Sequence, residues 1–175
     1  SEHLMAGVAR FERCALLHYL MNRAGRGEGH FIRTIHGTGG SLAIPRDRTG
    51  ETLRLVQRHN GKDEAIPESE LLTLVPDFRV NDLTAALFGG ERQSSYQMEF
   101  VDIDTSLLGI EQVDFVEAIV NNRVPEVTGE IGLRALALIM GFLETELLGR
   151  IATMEELTTA EGLPYEALVV DAKAL

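Results

Sequence analysis

The last third of the chain constrains its fold most. Residues 107–150 read LLGIEQVDFVEAIVNNRVPEVTGEIGLRALALIMGFLETELLGR, two long apolar-periodic stretches joined by a loop that contains Pro125. In the first stretch Glu111, Asp114, Glu117 and Asn121 recur at helical spacing, opposite Ile110, Val113, Val116, Ile119 and Val120. A polar stripe facing an apolar stripe marks a helix with one side on a core. Asn121-Asn122 and Pro125 punctuate its end. In the second stretch Thr128 suits an N-cap, and Glu130 falls in the first turn, where the helix dipole favours an anion. Ala135–Leu143 is apolar nearly all round, so this helix is expected to be the most buried element.

The first half reads as strands. Leu4–Glu12 and Ala15–Asn22 flank a tight connection at Arg13-Cys14. His30–His36 is rich in aromatic and β-branched residues, and Gly37-Thr38-Gly39-Gly40 turns the chain into Ser41–Ile44. Pro45–Gly50 is a turn by composition, and Thr52–Arg58 alternates again. These spacings predict an antiparallel meander. In the second strand Leu16, His18 and Leu20 point one way, and Leu17, Tyr19 and Met21 the other. Both faces are largely apolar, whereas a sheet with one wet face should alternate apolar and polar. One face is expected to meet this chain's helices and the other a partner chain. Glu68–Leu74 and Val80–Phe88 read as short helices, Ser94–Val101 as a further strand, Met154–Glu161 as a short helix and Ala167–Val170 as a last strand. The fold class expected is α+β: one large open, mainly antiparallel sheet with helices on one face. A single domain covers residues 1–175, with its core at about 5–158 and a tail over 159–175.

Charge narrows the partners. The chain has 175 residues and a formal net charge of −11. So acidic a surface repels phosphate backbones and anionic lipid. Its densest basic stretch, Arg23, Arg26, Arg33, Arg46 and Arg48, is broken by Glu28 and Asp47 and lacks interleaved aromatics, so no nucleic acid is expected. No membrane partner is expected either, because the near-apolar run Ile131–Leu143 contains Arg134 and falls short of the ~20 residues that span a bilayer. A single cysteine, Cys14, allows no internal disulfide and fits a reducing cytoplasm.

Motifs for chemistry are sparse. A dinucleotide cradle needs glycines where a strand turns into a helix, but Gly37–Gly40 is flanked by extended segments on both sides. His30 and His36 would project from one face of a strand, yet roughly 20 Å apart, too far to share a metal. Asp102 and Asp104 fit a loop or a helix entry better than an acid pair. A hydrolase built on Asp102 with His30 or His36 is the weakest reading. Cys14 has Arg13 beside it but no evident base, which favours a packed thiol. Arg33 is either an exposed or ion-paired arginine or a contact to substrate oxygens.

Four segments together resemble one family. They are the opening strand Gly7-Val8-Ala9-Arg10-Phe11, HFIRTIHGTGGSLAIPRDRTG (30–50), SYQMEF (95–100) and DFVEAIVNNRVPEVTGEIGLRALALIMGFLETELLGR (114–150). The pattern is similar to the C-terminal domain of the glucose–fructose oxidoreductase/inositol dehydrogenase/rhizopine-catabolism (Gfo/Idh/MocA) family. That resemblance implies NAD or NADP as cofactor of the whole enzyme, oxidation or reduction of a sugar or polyol, and a homo-oligomer formed through the open sheet. It places the glycine fingerprint, the lysine of the Glu-Lys-Pro stretch and the Asp-x-x-x-His motif upstream of residue 1. No catalytic, cofactor-binding or metal-binding residue is therefore assigned here. Cys14 stands where the family often has a turn glycine. The resulting expectation is a substrate-side and oligomerisation domain, inactive alone, with a carbohydrate site drawn from Arg26, His30, Arg33 and His36. The alternative is a stand-alone, non-enzymatic carbohydrate-binding or scaffolding module.

Overall fold

A computed structural model describes residues 3–159, 162–165 and 167. Along these the elements run β1 (Leu4–Arg10), β2 (Leu16–Asn22), β3 (Thr34–Gly37), β4 (Gly40–Ala43), β5 (Arg54–His59), β6 (Lys62–Ala65), α1 (Glu68–Leu71), α2 (Asp82–Phe88), α3 (Phe100–Val120), α4 (Gly129–Leu148) and α5 (Met154–Thr159). The class is α+β. Where one large sheet is expected, the described residues form a two-stranded sheet, β1-β2, and a four-stranded antiparallel one, β3-β4-β5-β6. Contacts divide the chain into two compact units, Ser1–Glu28 with Val124–Leu175, and Gly29–Arg123. Of the expected strand at 167–170, residues 168–170 lie outside the described residues.

In the first unit β1 and β2 pair from Leu4↔Asn22 to Arg10↔Leu16. Their loop closes with Cys14 N–H donating to the Phe11 carbonyl at 3.0 Å and Phe11 N–H donating to the Ala15 carbonyl at 2.9 Å. Cys14 sits at φ 64°, the left-handed position that ends a three-residue hairpin loop and is usually glycine. The two faces separate as expected. Met5, Leu17, Tyr19 and Met21 are covered, while Leu4, Val8, Leu16 and Leu20 lie exposed. The cover comes from α4. Phe142 stacks on Tyr19 with ring centroids 5.4 Å apart, and a Cβ at Gly7 would come within 2.1 Å of the Phe142 ring. Only a residue without a side chain lets α4 approach so closely.

Helix α4 starts as expected, with Thr128 Oγ1 accepting from Ile131 N–H at 3.2 Å. Gly149 ends it in the left-handed conformation. It buries Ala137, Gly141, Leu143 and Glu144, although Ile131, Leu133 and Leu136 stay exposed. The Glu144 carboxylate is 3% exposed and accepts from Tyr165 N–H at 2.9 Å. A buried carboxylate is tolerated only with such partners.

In the second unit two tight turns build the meander. Gly37 pairs with Gly40 around Thr38-Gly39, and His59 pairs with Lys62 around Asn60-Gly61. Asn60 (φ 50°) and Gly61 (φ 79°) hold the paired left-handed angles that match strand twist. The residues Thr34, Ala43 and Arg54 lie opposite one another across β3, β4 and β5, so their side chains share one face. Of the strand expected at His30–His36, only 34–36 is extended and paired in a sheet. The strand expected at Ser94–Val101 is instead a loop running into α3. Ile103, at 2% exposure, is the best-buried side chain of this helix. The apolar stripe of α3 is not covered in this unit, since Val113, Val116, Ile119 and Val120 are exposed. Arg123 folds back to pair with Asp114 at 2.8 Å and Glu117 at 3.1 Å, and both carboxylates hold its guanidinium above the ordinary arginine range. Among the described residues no helix is long and apolar enough to cross a membrane.

Candidate carbohydrate-sized cavity

A cavity of about 910 Å³ opens at one end of the meander, where the chain enters β3, leaves β4 and enters β5. That volume lies in the range of small-molecule sites. The Thr34–Ala43–Arg54 row contributes to its wall, and Thr52, two residues before Arg54, extends the same side. The loop Pro45–Glu51 and the stretch Ser95–Gln97 complete it. Tyr96 N–H donates to the Gly50 carbonyl at 2.9 Å and ties these two segments together. Gly50 is at φ 70°, and a Cβ there would lie 2.0 Å from the Tyr96 carbonyl oxygen, so the tie needs glycine. Tyr96 is steadied from below by an edge-on contact with Phe88 at 5.0 Å.

Polar groups line the cavity in a definite order. Arg33 Nη2 donates to the Pro45 carbonyl at 2.9 Å and to the Asp47 carboxylate at 2.6 Å. This arginine therefore staples the loop to the strand entry. Its guanidinium also lies 5.1 Å from the Phe31 ring centre, and that of Arg46 lies 5.5 Å from the same ring. The Glu68 carboxylate accepts from the Ser95 hydroxyl at 2.9 Å and from the Ser94 hydroxyl at 3.2 Å. Arg33 Nε and Thr52 Oγ1, both at this cavity, are buried without a hydrogen-bond partner. Such unpaired groups cost on the order of 1–3 kcal/mol each. A smaller recess of about 420 Å³ lies along the same Pro45–Glu51 loop. Beside it Arg48 pairs with Asp104 at 2.8 Å and lies over Phe100.

Of the four residues expected to meet substrate, the structure puts Arg33 at the cavity. Arg26 belongs to the other unit, beyond a turn in which Asn22 Oδ1 accepts from Ala24 and Gly25 N–H. His30 is exposed before β3, and His36 is exposed on β3 opposite Ser41. The two histidines thus do not share one strand. Asp102 lies in the first turn of α3 and Asp104 is ion-paired, in keeping with the helix-entry reading. Sequence reasoning missed Phe31, Arg46, Arg54, Glu68 and Ser95. It treated Pro45–Gly50 as a turn by composition and did not ask which way its arginines would face.

Among the described residues the glycine-rich passage from strand to helix that cradles a dinucleotide is not found. Gly37–Gly40 is a strand-to-strand hairpin, and among the described residues the passage from strand to helix, β6 to α1, runs through Ile66-Pro67. Neither offers glycine backbone at a helix start to a pyrophosphate. Among the described residues no group of three or more His, Cys, Asp or Glu is placed to hold a metal ion. Comparison of the chain with protein-family models, with curated proteins and with solved structures finds no match in any of the three.

Proposed function

We propose that this chain is the substrate-side and oligomerisation domain of an NAD(P)-linked sugar or polyol oxidoreductase of the Gfo/Idh/MocA kind, with that family's C-terminal domain fold. The observation that carries this reading is the 910 Å³ cavity with its mixed lining. Arginine donors, a carboxylate, hydroxyls and an aromatic ring suit a molecule that presents vicinal hydroxyls along an apolar carbon chain. Two further features support the reading. Cys14 holds a left-handed angle where the family often has glycine, and the hairpin face bearing Leu4, Val8, Leu16 and Leu20 is apolar and bare. Such a face suits a second copy of the chain. The single thiol, Cys14, is exposed rather than packed as expected, and a lone free cysteine is in keeping with a cytoplasmic setting. On this reading the dinucleotide is held by a separate cofactor-binding region, on which hydride transfer depends.

Titration calorimetry with D-glucitol and myo-inositol tests the substrate side. Saturable binding is expected. Arg33→Ala should weaken it about tenfold, because a wall of the cavity then loses its staple and a charge-assisted donor. No heat with any polyol refutes the carbohydrate reading. Titration with NADH and NADPH tests the other half, and tight stoichiometric binding of either would contradict it.

A further inference from the structure

We infer that the cavity is built for a polyhydroxy acid, a sugar chain bearing a carboxylate, rather than for a neutral sugar. This inference rests on the carbohydrate reading of the same cavity. Three arginines line it, Arg33, Arg46 and Arg54. Arg33 is committed to Pro45 and Asp47. Arg46 and Arg54 form none of the ion pairs among the described residues. The carboxylates in the lining are Glu51 and Glu68. Glu68 is occupied by two serine hydroxyls, and Glu51 has only a long contact of 3.4 Å from the Thr49 hydroxyl.

The arrangement leaves two guanidiniums of the lining, those of Arg46 and Arg54, without a carboxylate partner among the described residues. Arg33 and Arg46 share the Phe31 ring, and one carboxylate, Asp47, offsets one of them. Two cations crowded on one ring repel unless a second anion joins them. The chain as a whole carries −11, yet neither lining carboxylate, Glu51 or Glu68, forms an ion pair with Arg46 or Arg54. A ligand carboxylate has about four acceptor sites and matches guanidinium donors in pairs. Held by Arg46 and Arg54, it would leave the ligand's hydroxyls to Thr34, Ser95 and Gln97 along the same lining. The unpaired Arg33 Nε and Thr52 Oγ1 lie in this wall as well, so a small side-chain adjustment on binding gives each of them a partner.

D-gluconate and D-glucitol make a matched pair, alike except that one carries a terminal carboxylate where the other has a hydroxymethyl group. Calorimetry on the full 175-residue chain at low salt should show gluconate binding at least about tenfold more tightly. Arg46→Gln and Arg54→Gln should each lower gluconate affinity about tenfold and glucitol affinity by much less, so that the preference for gluconate over glucitol shrinks. Both side chains are exposed, so the variants should melt like the parent, which a thermal scan checks. Equal affinity for the two ligands, with no effect of either variant, overturns the acid preference and leaves the carbohydrate reading standing. Failure of both ligands to bind overturns both readings. Tighter binding of D-glucose 6-phosphate than of gluconate replaces the carboxylate with a phosphate and also sinks the inference.

Discussion

The β1–β2 hairpin and the β3–β6 meander are both small antiparallel sheets, yet their faces carry different things. The hairpin has an aromatic stack from α4 on one face and bare aliphatic side chains on the other. The meander ends in a cavity edged by arginines, hydroxyls and carboxylates. Apolar area gains free energy from whatever covers it, at about 25 cal/mol per Å². Polar groups gain from specific partners in specific directions. The hairpin is therefore suited to packing and the meander to recognition. Each half of that contrast can be broken by substitution.

The largest effect should come from the core of the meander's unit. Ile103 on α3 is almost fully buried, at 2% exposure. Ile103→Ala should cost about 3–4 kcal/mol in urea unfolding, the sum of lost transfer energy and the cavity left behind. A loss below about 1 kcal/mol would mean that the recognition half does not depend on a tight core under α3.

On the hairpin side Phe142→Ala should cost about 2–3 kcal/mol, since the ring is half-buried and stacks on Tyr19. A companion substitution sharpens the point. Gly7→Ala alone should destabilise, because its Cβ meets the Phe142 ring at 2.1 Å. On the Phe142→Ala background the same change should cost little. A double-mutant cycle reads that coupling directly, and additive losses would show that the close approach of α4 is not what packs the covered face.

The bare face should respond in assembly rather than in stability. Leu20 is 73% exposed, so Leu20→Glu should change unfolding free energy by less than about 0.5 kcal/mol. If the face takes a second copy of the chain, the substitution should turn a dimer into a monomer in sedimentation velocity. A parent chain already monomeric at high concentration removes oligomerisation from the hairpin's role.

Much of the hairpin was readable in advance, and less of the meander. The alternation of Leu16–Asn22 told which side chains would share a face, because side chains in a strand alternate by geometry alone, but not which of the two faces α4 would cover. The Thr128 cap and the short helices α1 and α2 were visible for similarly local reasons, although α1 ends at Leu71 and not at Leu74 as expected. Strand β6 was missed although Asn60-Gly61 is the strongest short-range hairpin signal there is. Its residues Lys62-Asp63-Glu64-Ala65 show no apolar alternation, so pattern alone was silent. The strand expected at Ser94–Val101 failed because its last two residues, Phe100 and Val101, begin α3, while Tyr96 is held in a loop against Phe88 and Gly50. The cavity was legible only through Arg33. Arg46 and Arg54 reach it by the registry of three strands and a loop, which no spacing in the sequence encodes.

The smallest effect concerns α5, which closes the hairpin's unit against α4. Its N-terminus is a reciprocal cap, with Thr153 N–H donating to the Glu156 carboxylate at 2.8 Å and Glu156 N–H donating to the Thr153 hydroxyl at 3.2 Å. Arg150 adds an ion pair at 2.9 Å. Its hydrogen bond first, and then the Thr153 N–H, pull the Glu156 carboxyl down to about 2 from an ordinary 4.5. A carboxyl lowered on folding contributes stability that is fully present above its unfolded value. That contribution fades as pH falls from about 4.5 through about 2. Glu156→Gln should therefore destabilise at pH 7 and match the parent near pH 2, read as converging urea midpoints. The difference at pH 7 should be modest, because both partners face water and salt screens them. Midpoints that stay apart at the acid end would assign the loss to the amide's shape in the cap rather than to the charge.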